Sequence, residues 1–208
     1  MKVWDLATRV YHWLQALLFI GLMASGFSGS GPHIQLGLAL FTLLIWRLIW
    51  GQVGSETSRF KQFLRSPKVV LRYLLGNEPT KPGHNPAGGW MVVAMISALL
   101  LQCISGLALA GMLDNLPFSE LWLTDTLFAA LESMHLGLVN VLPALIGLHV
   151  AAIVYYKLRS KPLTWAMISG VQENGHAQVG LFFASHRRAL GVLVVATSVT
   201  MAIVALSA

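Results

Sequence analysis

Seven histidines hold the chemistry available to this sequence: His12, His33, His84, His135, His149, His176 and His186. Imidazole is the commonest protein ligand for transition metals and the side chain that titrates near neutral pH. His135 and His149 stand 14 residues apart. On one helix, at about 100° and 1.5 Å per residue, they fall within about 40° of each other and about 21 Å apart along the axis. That separation excludes a shared zinc ion, because Zn–N bonds are about 2 Å long. Each of the two therefore needs a partner from another helix. A lone cysteine, Cys103, rules out cysteine-based zinc or iron–sulfur sites and an intramolecular disulfide. It reads as a small apolar residue.

The elements that must position these histidines are membrane helices. The 208 residues are 56% hydrophobic and 11% charged, with a mean hydropathy of +0.68, whereas a soluble domain carries about 25% charged residues. This balance argues against both a soluble enzyme and a disordered chain. The expected class is an all-α integral membrane protein. Charged residues are absent from 10–46, 82–113, 133–156 and 189–208. A spanning helix needs about 20 mostly apolar residues, so 10–46 must hold two. The Gly/Ser-rich run from Ser25 to Pro32 reads as the turn between them. Five spans result, at roughly 11–27, 33–50, 89–111, 134–156 and 188–207. The first lacks an Ala-x-Ala-like site and is not read as a cleavable signal. Ser66 to Leu74 and Pro162 to Ile168 read as short helices lying along the membrane surface.

Five spans place all 14 Lys and Arg residues on one side. The 112–133 connection on the other side carries Asp114, Glu120, Asp125 and Glu132 with no basic residue. The positive-inside rule then expects a multi-pass protein of a bacterial inner membrane, with a cytoplasmic N-terminus and a periplasmic C-terminus. The pI of about 9.8 reports this topology and contact with anionic membrane lipid. No basic domain for nucleic acid is present.

With that topology the histidines fall at matching depths. His12 lies where the first span leaves the cytoplasm, and His149 where the fourth approaches it. His33 begins the second span outside, and His135 enters the fourth from outside. Two His–His pairs stacked across the bilayer describe two six-coordinate b haems, with His12 and His149 on the inner iron and His33 and His135 on the outer. No Cys-x-x-Cys-His motif provides covalent attachment. Ionisable residues inside a membrane are costly and usually functional. Gly21, Gly37, Gly106, Gly137 and Gly147 lie within spans, where close backbone approach gives room for a macrocycle or for helix packing.

Several stretches resemble a known family. They are Val3-Trp4-Asp5-Leu6-Ala7-Thr8-Arg9-Val10-Tyr11-His12-Trp13, His33-Ile34-Gln35-Leu36-Gly37, Trp46-Arg47-Leu48-Ile49-Trp50-Gly51, Gly83-His84-Asn85-Pro86-Ala87-Gly88 and His135 to His149. Over roughly 3–170 the chain resembles the bacterial cytochrome b561 family, which includes the cytochrome b subunits of membrane-bound nickel–iron hydrogenases. The resemblance implies a four-helix di-haem core and quinone-linked electron transfer, with ligand positions matching His12, His33, His135 and His149. Relatives often carry Glu where this chain has Leu136, so any role for that acid is absent. The fifth span lies outside the four-helix pattern. The expected organisation is therefore a di-haem transmembrane domain over 1–170, then a linker and an extra C-terminal transmembrane helix over 171–208.

Four further residues are candidates for the inner site. Arg9, one turn before His12, suits a haem propionate. His84, with Asn85 and Arg47, suits a propionate or a proton relay to a quinone. His176 and His186 read as surface residues. The expected function is electron transfer through two b haems between the quinone or quinol pool and a periplasmic redox protein, such as a cytochrome c or a dehydrogenase subunit. Quinol is expected to reduce the protein, and the acidic outer connection to dock the partner. Two alternatives remain: a membrane anchor subunit of a periplasmic dehydrogenase or hydrogenase, and a non-redox transporter or scaffold. Whether the chain is itself an oxidoreductase is left open.

Overall fold

The computed structural model describes residues 1–77, 83–160, 162–172 and 180–207. Lys81, Lys161 and His176 fall outside them. Nine α-helices occur among the described residues: α1 (Leu6–Ser28), α2 (His33–Val53), α3 (Phe60–Phe63), α4 (Pro67–Leu74), α5 (Pro86–Leu109), α6 (Ser119–Trp122), α7 (Asp125–Leu158), α8 (Leu163–Ser169) and α9 (His186–Ser207). No strand is found among these residues beyond one isolated bridge between Lys2 and Val171. Five helices, α1, α2, α5, α7 and α9, are long and apolar enough to cross a membrane. These are the five expected spans.

Local chemistry sets the ends of these helices. Asp5 caps α1, its side chain accepting from the Thr8 N–H, and Gly29 closes the helix at φ 62°, a left-handed conformation that glycine adopts freely. Asn85 caps α5 in the same way through the Gly88 N–H, with Pro86 at the first helical position. Two expected boundaries shift. The first helix continues to Ser28, so Ser25 and Gly26 are helical and the turn is only 29–32. The fourth span begins outside the expected hydrocarbon segment, at Asp125. The Thr124 side chain caps its first turn and Asp125 suits the positive end of the helix dipole. His135 therefore sits well inside α7 rather than at its start.

The spanning helices pack in the order α1, α2, α5, α7, with α9 against the other side of α2. Leu40, Phe41 and Leu44 of α2 meet Ile96, Leu99, Cys103 and Leu107 of α5 and Leu142 of α7 in the main core. A second core joins Tyr11, Trp46 and Trp50 to Ala189, Val192 and Ala196 of α9. Trp46 Nε1 donates to the Ala189 carbonyl at 3.1 Å, and the Thr42 and Thr200 hydroxyls meet at 2.8 Å. Among the described residues α1 and α7 share no packing comparable to that of the neighbouring pairs. They face one another across a gap, and all four paired histidines lie on α1, α2 and α7 around it.

Candidate functional site

The end of the bundle that carries His12 and His149 is here termed the inner end. The rings of these two residues face each other from α1 and α7 with centroids 6.4 Å apart. Imidazole–metal bonds run about 2 Å, so one ion held by both rings places their centroids about 6 Å apart. The spacing matches a single metal between two imidazoles, and it leaves the two rings too far apart to stack on each other.

The outer pair is arranged differently. His33 and His135 line one cavity of about 650 Å³ between α1, α2, α5 and α7, whose walls also include Gly26, Gly37, Leu99 and Gly106. That volume lies within the range of about 300–1,000 Å³ that ligand pockets occupy. His33 Nδ1 lies 3.0 Å from Ser25 Oγ. His135 Nδ1 lies 3.1 Å from both the Gln102 carbonyl and Ser105 Oγ. In each ring Nδ1 is engaged by the protein and Nε2 is left for a ligand. A Cβ on Gly26 would come within 3.2 Å of His33 Cε1, and one on Gly106 within 3.1 Å of His135 Cε1. Each outer imidazole thus rests on a serine–glycine shelf.

The polar residues expected near the inner pair gather there unevenly. Arg47 is 3% exposed, stacks its guanidinium on Phe60 at 4.9 Å, and has an NH1 with no hydrogen-bond partner. Gly51 makes this possible, since a Cβ there would lie 2.0 Å from the Phe60 ring. His84 is wedged between Trp4 and Phe63, at 4.7 and 4.6 Å between centroids, and its Nδ1 is buried without a partner. Burial, followed by the nearby Arg47 guanidinium and then His12 and His149, pushes its pKa down to about 3. Asn85 spends its side-chain oxygen on the α5 cap, 2.7 Å from the Gly88 N–H. Arg9 turns to α8, where NH1 donates to the Ile168 carbonyl, while its Nε is buried and unpartnered. His186, the first residue of α9, is exposed.

The sequence reading missed the network beneath this end. Asp5, 5% exposed, accepts from the Thr8 N–H at 2.7 Å, from Thr8 Oγ1 at 2.9 Å and from Ser58 Oγ at 3.2 Å. Trp50 Nε1 donates to Thr8 Oγ1 at 3.1 Å, and Thr57 Oγ1 to the Val3 carbonyl at 2.7 Å. The two serines of the outer shelves were missed as well. Their only sequence signal is the dipeptide Ser-Gly, at 25–26 and again at 105–106. Of the in-span glycines, Gly37 and Gly106 line the cavity. Gly21 packs on Leu36, and Gly137 and Gly147 face open space.

A b-type haem fits the residues present. At the inner end two imidazoles stand at the spacing of one shared metal, and a buried guanidinium awaits a carboxylate. At the outer end two imidazoles with engaged Nδ1 atoms line an apolar cavity of suitable size. Comparison with known families agrees: the family described as prokaryotic cytochrome b561 matches residues 3–170, which ends before α9. No curated protein and no solved structure matches the chain.

Proposed function

The chain belongs to the prokaryotic cytochrome b561 family, and from that premise we propose that it moves electrons across the membrane between the quinone pool and a redox partner through two b haems. Membership and the five apolar helices make it a multi-pass membrane cytochrome that transfers electrons by b-type haem. The number of haems, their ligands, the orientation and the partner are our reading. The observation that carries it is the placement of two imidazole pairs on α1, α2 and α7, one facing at 6.4 Å and the other lining a single cavity.

In this reading His12 and His149 hold the inner haem, and His33 and His135 the outer. When bound, each haem supplies a one-electron couple at an iron that needs no proton transfer. The chain does the rest. The imidazoles fix the two centres about four helical turns apart along α7. The apolar core of α2 and α5 excludes water between them. Arg47 offers its unpartnered NH1 to a propionate of the inner haem, a charge-assisted contact that offsets burial of the guanidinium. His84 stands beside it, neutral and buried against Trp4 and Phe63. Asn85 holds His84 in place through the α5 cap, and Arg9 anchors α1 to α8.

In the same reading the His12 end lies in the cytoplasm, which the positive-inside rule supports. A reporter fused after α9 is then expected to read as periplasmic, and one inserted at Asn77 as cytoplasmic. The acidic outer connection becomes the docking face for a basic periplasmic partner, a cytochrome c or a dehydrogenase subunit. Phe118 and Leu121, 78% and 77% exposed, flank Glu120 there, while Leu113 turns into the core. The test is stopped-flow reduction of the purified holoprotein by a ubiquinol or menaquinol analogue, followed by mixing with a basic c-type cytochrome at two ionic strengths. Quinol should reduce both haems, and transfer to the partner should slow with salt and with neutralisation of Asp114, Glu120 and Asp125. Haems that no quinol reduces would end the quinone assignment.

A further inference from the structure

We propose that Ser25 and Ser105 are positioning residues that fix the tautomer of the outer histidines and hold the outer centre at a lower reduction potential than the inner one. The inference rests on the two-haem reading above. Ser105 Oγ lies 2.8 Å from the Leu101 carbonyl and 3.0 Å from the Gln102 carbonyl. Both are acceptors, so the single hydroxyl hydrogen is committed to them and the oxygen is left to accept. His135 Nδ1 lies 3.1 Å from that oxygen and 3.1 Å from the Gln102 carbonyl, which can only accept. Nδ1 therefore carries the ring hydrogen, and Nε2 presents its lone pair to the cavity. Ser25 repeats the arrangement. Its Oγ donates to the Leu22 carbonyl at 3.2 Å and receives His33 Nδ1–H at 3.0 Å.

The inner end has the opposite surroundings. His12 Nδ1 is buried with no hydrogen-bond partner, and Arg47, also unpartnered at NH1, is buried at the same end. An imidazole whose N–H is hydrogen-bonded is a stronger electron donor to its metal, and this second contact fixes ring orientation as well. A stronger donor favours the oxidised iron. A buried cation favours the reduced form, which carries one positive charge less. Ser25 and Ser105 lower the outer potential while Arg47 raises the inner one, so the two effects separate the centres in the same direction. The outer centre is then the stronger reductant of the two, at the end where the partner docks.

The test is a spectroelectrochemical titration of the haem-loaded protein in detergent, with haem content and low-spin EPR signals recorded on the same samples. The wild type should show two components, and the His33→Ala variant should lose the one of lower potential. Ser105→Ala and Ser25→Ala should each raise the lower component, and the double variant should raise it further, with the upper component unmoved and two haems retained. Ser105→Cys, nearly isosteric with a weaker acceptor, should give a smaller shift in the same direction. An unmoved lower component in the double variant would overturn the proposal, as would loss of the upper component in His33→Ala. Loss of a haem from Ser105→Ala with no shift in Ser105→Cys would make the serine a structural support and would also overturn it. One haem per wild-type chain is the separate result that would remove the two-haem reading itself.

Discussion

At the inner end the histidines meet among buried aromatics, a buried guanidinium and a dense hydrogen-bond network. At the outer end they look into a cavity, each on a shelf made by one serine and one glycine. The inner end is built by groups far apart in sequence: Asp5, Thr8, Trp50, Ser58 and His84 converge there from the N-terminal segment, α1, α2 and two loops. The outer end draws on neighbours within single helices, Ser25-Gly26 on α1 and Ser105-Gly106 on α5. The difference teaches that two histidine pairs of one bundle are supported in different ways, one by a long-range polar network and one by local shelves around open space. The inner end locks the bundle, and the outer end leaves room.

That contrast can be broken at either end. The largest expected effect is Gly106→Val. A Cβ already reaches 3.1 Å from His135 Cε1, and the two further methyls have to displace the imidazole. The outer low-spin haem should be lost, with the inner spectrum retained. Retention of both haems would show that the shelf does not hold the ring. At the inner end Asp5→Ala removes the acceptor of three hydrogen bonds and the cap of α1. The expected cost is about 2–4 kcal/mol of stability, from the cap and from buried donors left unpaired. It should appear as a lowered thermal midpoint in detergent, before any change in outer-haem spectrum.

A smaller effect concerns pH. The His84 pKa is pushed down to about 3, from an unfolded value near 6.5. Its folded form stays neutral while the unfolded chain takes up a proton, so stability is full above about pH 6.5 and falls as the pH drops toward 3. In the haem-free protein, between pH 7 and pH 5, this group should cost about 1–2 kcal/mol. His84→Phe, which keeps an aromatic between Trp4 and Phe63, should flatten that limb of the stability curve. An unchanged slope in the variant would show that the imidazole does not stay neutral in the fold. The smallest effect is at the α9 contact, where Thr200→Val removes the 2.8 Å hydroxyl pair with Thr42. About 1 kcal/mol is expected, read as a modest fall in the thermal midpoint, with both haem spectra unchanged.

Most of the architecture was legible in the chain. Gaps in charge located all five spanning helices, because a charge inside hydrocarbon is costly enough to be nearly absent there. Ser66-Pro67 and Pro162 likewise announced α4 and α8. Boundaries were harder. Ser25 and Gly26 look like turn residues, yet they remain helical because Gly29 and Gly31, both at positive φ, make the turn within the four residues up to Pro32. The 14-residue interval between His135 and His149 was readable from helix geometry alone, and His12 and His33 followed from depth. The serine shelves were not readable, because a serine hydroxyl acquires its meaning only from the ring that another helix brings to it. Nor was the Asp5 network, whose partners Thr8 and Ser58 are 50 residues apart.

The central claim is that four histidines form two separate centres, paired by depth. The most direct measurement is the haem content and the reduced-minus-oxidised spectrum of His12→Ala, His33→Ala, His135→Ala and His149→Ala, each purified from the membrane and compared with the wild type. Two haems per wild-type chain are expected. His12→Ala and His149→Ala should lose or convert the same spectral component, and His33→Ala and His135→Ala the other. Loss of one common component in His12→Ala and His33→Ala, with the second untouched, would contradict the pairing.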